Sequence, residues 1–226
     1  MARRSKRYRE IRAKVDTTRQ YSVREAVEVL KSLPHARFDE SVEVAVRLGI
    51  DPKQSDQAVR GTVTLPKGTG KTVRVIVFAE GEAAQAAQRA GAIAVGGADL
   101  VERVNGGWTD FDVAIATPAM MQHVRKLGRV LGPQGKMPTP KTGTVTDDVA
   151  SAVRDFMHGK VEYRNDDSGN VHVLVGKISF TTEDLVANIE AFLSHLAAAR
   201  PPAAKGRFLV RASVSTTMGP ALRLAV

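Results

Sequence analysis

Thr72-Val73-Arg74-Val75-Ile76-Val77-Phe78-Ala79 reads as a strand that is apolar on both faces. A strand with one wet face alternates polar and apolar residues. A nearly continuous apolar run belongs instead in a sheet covered above and below, and such sheets are built of parallel strands joined by helices. The sequence downstream keeps to that rule. Glu82 to Ala90 is an Ala- and Gln-rich helix stopping at Gly91, Ile93-Ala94-Val95 a short strand, Asp99 to Val104 a short helix, and Asp112-Val113-Ala114-Ile115-Ala116 a third apolar strand. Thr117 is placed to cap a further helix, with Pro118 in its first turn. A loop rich in Gly and Pro runs from Gly128 to Gly143. Val149, Val153 and Phe156 then mark a closing helix that starts at Asp147-Asp148 and ends at Gly159. Residues 68–159 thus form an α/β unit around a parallel sheet.

Outward from this unit the pattern changes. On the N-terminal side, Ser22 and Glu25 make a capping box, and Val23, Ala26, Val27 and Leu30 form one apolar helix face that ends at Leu33-Pro34. Phe38 to Leu48 then alternates, with Val42, Val44, Val46 and Leu48 inward and Glu43 and Arg47 outward, as in a half-buried antiparallel strand. Asp51-Pro52 breaks it, and Arg60 to Pro66 is a second strand. On the C-terminal side, Lys160–Arg164 and Val171–Val175 are expected to pair as a hairpin around the turn-rich Asn165-Asp166-Asp167-Ser168-Gly169-Asn170. Thr181 to Asp184 offers a helix cap. Leu185, Ile189, Phe192, Leu193 and Leu196 give the helix face, and Arg200-Pro201-Pro202 stops it. Phe208 to Thr217 is a last strand with Phe208, Val210, Ala212 and Val214 inward. Each flank is small for a core of its own. The expected architecture is therefore α/β plus α+β: one composite α+β domain from residues 1–67 and 160–226, with residues 68–159 inserted.

Composition narrows the function. The 226 residues hold 33 Lys+Arg against 24 Asp+Glu, a net charge of +9, and no cysteine. The missing cysteines exclude disulfides, cysteine-ligated metals and thiol chemistry. No run approaches the about 18–20 apolar residues that span a bilayer, and Met1 to Lys14 lacks the apolar core of a signal peptide. A cytoplasmic protein that binds a polyanion is expected, nucleic acid before membrane surface. The excess is local: Arg3, Arg4, Lys6, Arg7, Arg9, Arg12, Lys14 and Arg19 face only Glu10 and Asp16 within the first 20 residues, which supply six of the nine net charges. Tyr8, Ile11 and Val15 recur at helical spacing, so this arm reads as a docked amphipathic helix whose basic side, including Lys6 and Arg7, meets phosphates. The insert is nearly neutral.

Motifs for catalysis fail one by one. Lys67-Gly68-Thr69-Gly70-Lys71-Thr72 resembles the end of a phosphate-binding loop, but Leu65 stands where the first glycine belongs and a strand follows instead of a helix. No G-x-G-x-x-G follows a strand. His35, His123, His158, His172 and His195 have no ligand spacing, so neither metal nor cofactor is expected. The Gly/Pro-rich loop stays open between a structural surface loop and a nucleic-acid contact. Two segments stay open between ordinary strand ends and an RNA contact: Arg37-Phe38-Asp39-Glu40-Ser41 at a strand start and Ser215-Thr216-Thr217-Met218-Gly219-Pro220 at a strand end. Each sets hydroxyls, an apolar side chain and close-approach backbone at a rim, where bases stack and phosphate or 2′-OH groups bond.

The run Gly128-Arg129-Val130-Leu131-Gly132-Pro133-Gln134-Gly135-Lys136-Met137-Pro138-Thr139-Pro140 resembles the signature loop of the L-one family of large-subunit ribosomal proteins. Phe38 to Glu43, Gly49 to Pro52, Arg60 to Val63, Arg164 to Asp166, Val175 to Lys177 and Thr216 to Pro220 resemble it too, in order, from Lys6 to about Leu224. The resemblance implies a composite domain with an inserted Rossmann-like domain and no enzymatic activity. It further implies binding of large-subunit ribosomal RNA in the mobile side stalk as a monomer within the ribosome, help in releasing exit-site tRNA, and repression of its own operon through its messenger RNA. The RNA contacts it implies are Phe38, Asp39, Glu40 and Ser41; Arg164, Asn165, Asp166 and His172; and Thr217, Met218 and Gly219.

Overall fold

The computed structural model describes residues 5–16, 18–54 and 56–226. In chain order its elements are α1 (Lys6–Ala13), β1 (Gln20–Tyr21), α2 (Val23–Ser32), β2 (Ser41–Leu48), β3 (Arg60–Thr64), β4 (Val75–Phe78), α3 (Gly81–Arg89), β5 (Ala94–Gly96) and α4 (Ala98–Asn105). There follow β6 (Val113–Ala116), α5 (Met121–Val124), α6 (Gly128–Leu131), α7 (Val149–Met157), β7 (Lys160–Arg164), β8 (Asn170–Lys177), α8 (Thr182–Ala198), β9 (Leu209–Thr216) and β10 (Leu222–Leu224). They gather into two compact units: the chain through Gly70 together with Val161–Val226, and Lys71–Lys160.

In the first unit a five-stranded sheet has the order β1-β10-β9-β2-β8. Strands β2, β8, β9 and β10 pair antiparallel, and β1 joins β10 in parallel. Val42, Val44, Val46 and Leu48 are all buried, as their alternation requires, and share one core with Val171, Val173, Val175, Ala212, Val214, Leu222 and Leu224. Helices α2 and α8 close that core with Ala26, Val27, Leu30, Leu185, Ile189, Phe192 and Leu196. Ser22 caps α2 in a full capping box with Glu25, and Thr181 caps α8 by accepting from the Asp184 N–H. The helices thus cover one face of the sheet. Its other face carries the alternate residues, which are half-buried or exposed.

The second unit has three parallel strands in the order β5-β4-β6. Every residue of β4 is buried. Ile76, Phe78, Ala114 and Ala116 pack on one side against α4, α5 and α6, and Val75, Val77 and Ile115 on the other against α3 and α7. Both faces are therefore covered, as the apolar run Thr72–Ala79 demanded.

Several local expectations need correction. Lys160–Arg164 and Val171–Val175 do not form a hairpin ladder. Asp166 closes the turn by accepting from the N–H groups of Ser168 (2.9 Å) and Asn170 (2.7 Å), and pairing continues only through one bridge, Asn165 to Val171. Strand β7 then pairs with β3 while β8 pairs with β2. The buried Tyr163 ring draws β7 aside, lying edge-on to Phe192 (6.0 Å) and His195 (5.7 Å) of α8. Val210, expected inward, is 40 % exposed, because Leu48 pairs with Leu209 but Arg47 with Arg211, leaving Val210 as the extra residue of a β-bulge. Thr117 caps nothing: Pro118 lies in a turn, and α5 starts only at Met121. Part of the expected Gly/Pro-rich loop is helical, as α6 and a 3-10 turn at Pro140–Thr142. Strands β1 and β10 are too short for periodicity to reveal.

Candidate nucleic-acid interface

Glu40 organises the rim. It is the last residue before β2 and is only 1 % exposed. Its carboxylate accepts from the N–H groups of Ala36 (2.6 Å) and Met218 (3.1 Å), from the Arg7 guanidinium (3.5 Å) and from the Thr216 hydroxyl. Burial pushes its pKa up, but these hydrogen bonds outweigh burial and hold the carboxyl below its usual range. One buried anion thereby ties together segments 36–40 and 216–219, which lie far apart in sequence. Arg7 of α1 adds bonds to the carbonyls of Pro34 and Met218, both 3.3 Å. The arm is thus docked as expected, with Ser5 capping α1 and Ile11 and Val15 buried. Arg3 and Arg4 lie outside the described residues.

The two predicted strand ends are neighbours. Thr217 donates its N–H to the Ser41 carbonyl (3.0 Å), and Ser41 donates its N–H to the Thr217 hydroxyl (2.9 Å). Lys177 donates to the Ser41 hydroxyl (2.8 Å). Asp39 accepts from the Ser179 N–H (3.2 Å) and hydroxyl (2.8 Å). A Cβ on Gly219 would collide with the Thr216 hydroxyl, so the turn needs glycine there for close approach. On this fixed frame Phe38 (53 %) and Met218 (51 %) stand exposed, and Arg37, Thr217 and Lys6 are exposed as well. Glu40 and Thr216, by contrast, are buried and shape the rim from within.

The second predicted cluster sits at the β8 side. Asn165 serves mainly as a clamp, accepting from the Val59 N–H at its Oδ1 (2.8 Å) while its own N–H donates to the Val59 carbonyl (2.9 Å). Asp166 is bound in its turn, and hydrogen bonds from Asn170 lower its pKa. Arg164 and His172 are exposed. His172 lies between Glu43 (3.7 Å) and Asp166 (3.9 Å).

The surface joining these clusters escaped the sequence reading. Gln20, Arg223, Ser213, Ala45 and His172 form one row across all five strands, and Ser215, Glu43 and Leu174 form the next. These are the outward positions of the open sheet face. Strand alternation names them, but only the register shows that they abut. The second unit has its own asymmetry: from Val113 to Thr146 there is no Asp or Glu, and Arg125, Lys126, Arg129 and Lys141 are exposed. Among the described residues no His/Asp/Glu group is placed to hold a metal ion, and no helix is long and apolar enough to cross a membrane.

A family model described as the Ribosomal protein L1p/L10e family matches residues 30–220. The Large ribosomal subunit protein uL1 of Kosmotoga olearia is 53 % identical over 224 residues, covering 99 % of this chain and 97 % of that protein. The protein of the same name from Chlamydia caviae is 54 % identical over 222 residues, covering 98 % and 96 %.

Proposed function

Since the chain belongs to the Ribosomal protein L1p/L10e family, we propose that it is a structural, non-enzymatic protein of the large ribosomal subunit, working in the cytoplasm. In this reading the two compact units are two domains, and the composite one binds the ribosomal RNA of the mobile side stalk. The observation that carries it is the rim. An apolar pair, Phe38 and Met218, is left about half exposed on a backbone fixed by buried Glu40, with Thr217 and Ser41 hydroxyls between. Apolar side chains suit unstacked bases, and hydroxyls suit phosphate and 2′-OH. Arg37, Arg164, His172, Ser215, Lys6 and Arg7 supply the surrounding polar and basic contacts.

The same rim takes the messenger RNA of the protein's own operon, which represses its translation by mimicking the stalk site. Exit-site tRNA is met by the second unit, whose acid-free stretch from Val113 to Thr146 suits a phosphate backbone and assists tRNA release. Cross-linking the protein to RNA in a cell extract and sequencing the bound fragments tests the whole reading. Stalk RNA and the operon leader are the expected fragments, and they should compete for one site in a binding assay. Recovery of neither, or simultaneous binding of both, contradicts it.

A further inference from the structure

The register of the five-stranded sheet sets two arginines directly against each other. Arg47 of β2 and Arg211 of β9 are Cα partners on the open face, with Asn170 of β8 completing the row. Directly opposed like charges weaken an antiparallel pair. Two positions along β9, Ser213 faces Arg223 of β10, which puts a third guanidinium on the same face, diagonal to Arg211. Arg47 and Arg211 are exposed and Arg223 half-buried. Among the described residues none of the three side chains makes an ion pair or a hydrogen bond. The carboxylates of this face, Glu43 and Asp166, lie instead against His172 on the β8 side.

The floor between the arginines is low, made of Ala45 and of Ser213, whose hydroxyl turns down onto the Ala45 carbonyl (3.4 Å). The bulge at Val210 adjoins Arg211, and bulges re-aim neighbouring side chains. A Cβ on Gly49 would collide with the Arg207 carbonyl, so glycine lets the two strands close at this end. An arrangement that costs stability and has no internal anion is suited to an external one, and guanidinium forks match phosphate oxygens.

We propose that Arg47, Arg211 and Arg223 form a second, sequence-independent foothold for the sugar–phosphate backbone of the RNA held at the rim. Six residues along β2 separate Arg47 from Ser41, which puts the foothold about 20 Å from the rim at roughly 3.3 Å per residue. The proposal rests on the RNA-binding reading above.

The test uses the full-length chain, an in vitro transcript of the stalk segment of ribosomal RNA and a scrambled transcript of equal length. Affinity is measured across a salt series for wild type, R47Q, R211Q, R223Q and the triple variant. Each substitution should make the slope of log K against log salt shallower by about 0.7–0.9 and weaken binding about fivefold near 0.15 M salt. The preference for the stalk transcript over the scrambled one should stay unchanged. Because R47Q and R211Q relieve the charge opposition, their melting temperatures should equal or exceed wild type. A wild-type slope in the triple variant, or lower melting temperatures in R47Q and R211Q, overturns the foothold. A wild-type chain with no preference for the stalk transcript overturns the underlying RNA reading instead.

Discussion

The two sheets of this chain draw on similar apolar residues and end in opposite situations. Strand β4 is buried at every position, between α4–α6 on one face and α3 and α7 on the other. Strand β2 buries every second residue and presents Glu43, Ala45 and Arg47 on the other side. A sheet closed on both faces has only its loops and helices to offer a partner. A sheet closed on one face offers a broad, rigid surface whose side chains are fixed by the register. The difference explains why candidate binding residues concentrate in the first unit, while the second keeps its free cations on short helices and turns such as Arg125, Lys126 and Arg129.

The strongest way to break this comparison is to damage the closed sheet and watch the open one. Phe78 is fully buried at the C-terminal end of β4. Phe78→Ala should cost about 3–5 kcal/mol, since the cavity adds to the lost transfer energy. Unfolding followed by calorimetry should show a lowered transition for residues 71–160, with stalk-RNA affinity within about twofold of wild type. A parallel collapse of RNA binding means that the two units depend on each other.

Next in size is Glu40→Ala. It strips a buried acceptor from the part-buried N–H groups of Ala36 and Met218 and from Arg7, and a donor left unpaired costs up to about 1–3 kcal/mol, depending on its burial. A loss of about 3 kcal/mol is expected, together with loss of RNA binding. The carboxyl's pKa is lowered on folding, so its contribution is fully present above its unfolded value of 4.5 and disappears as pH falls through the lower folded value. Wild-type and Glu40→Gln melting curves should therefore converge in acid. If they stay parallel from neutral pH downward, Glu40 does not hold the rim by its charge.

The closed unit has a counterpart in Asp112. Burial raises its pKa, but bonds from Lys71 (2.7 Å) and from the N–H (3.0 Å) and guanidinium of Arg74 outweigh that and bring it to about 2. Lys71 and Arg74 are about half exposed, so solvent screening trims the gain. Asp112→Asn should cost about 1–2 kcal/mol at neutral pH. The stabilisation is complete above about pH 4 and fades as pH falls toward 2. A pH-independent difference between the two proteins would contradict this assignment.

What the sequence revealed, and what it hid, follows the range of the interactions. The core of β2, both cores around β4 and the caps at Ser22 and Thr181 were legible, because periodicity and capping are local. The false hairpin and the inward Val210 came from the same local logic. Tyr163 packing under α8, and the one-residue slip between Leu48 and Arg47, are set by contacts distant in sequence. The site divides the same way. Phe38 and Met218 stood out as apolar residues at strand ends, and the resemblance to a family added Arg164 and His172. That Glu40 is a buried linchpin, and that Arg47 faces Arg211, depend on a pairing that no single strand encodes.

The smallest expected effect separates two residues that look equivalent in sequence. Met218 is half exposed, and only its backbone carries hydrogen bonds, to Glu40 and Arg7. Met218→Ala should leave the melting temperature unchanged, within about 0.5 kcal/mol, because exposed side chains away from special contacts contribute little. Its affinity for stalk RNA should drop by about 0.5–1 kcal/mol, the scale of a thioether packed on an aromatic face. Thr217 differs, since its hydroxyl accepts the Ser41 N–H at 2.9 Å. Thr217→Val keeps the shape and removes that acceptor, so it should lose about 1 kcal/mol of stability as well as affinity. Melting and binding measured side by side decide the matter. If Met218→Ala destabilises the fold as much as Thr217→Val does, the rim is a strand end with no free surface, and the contrast between the open and closed sheets loses its functional meaning.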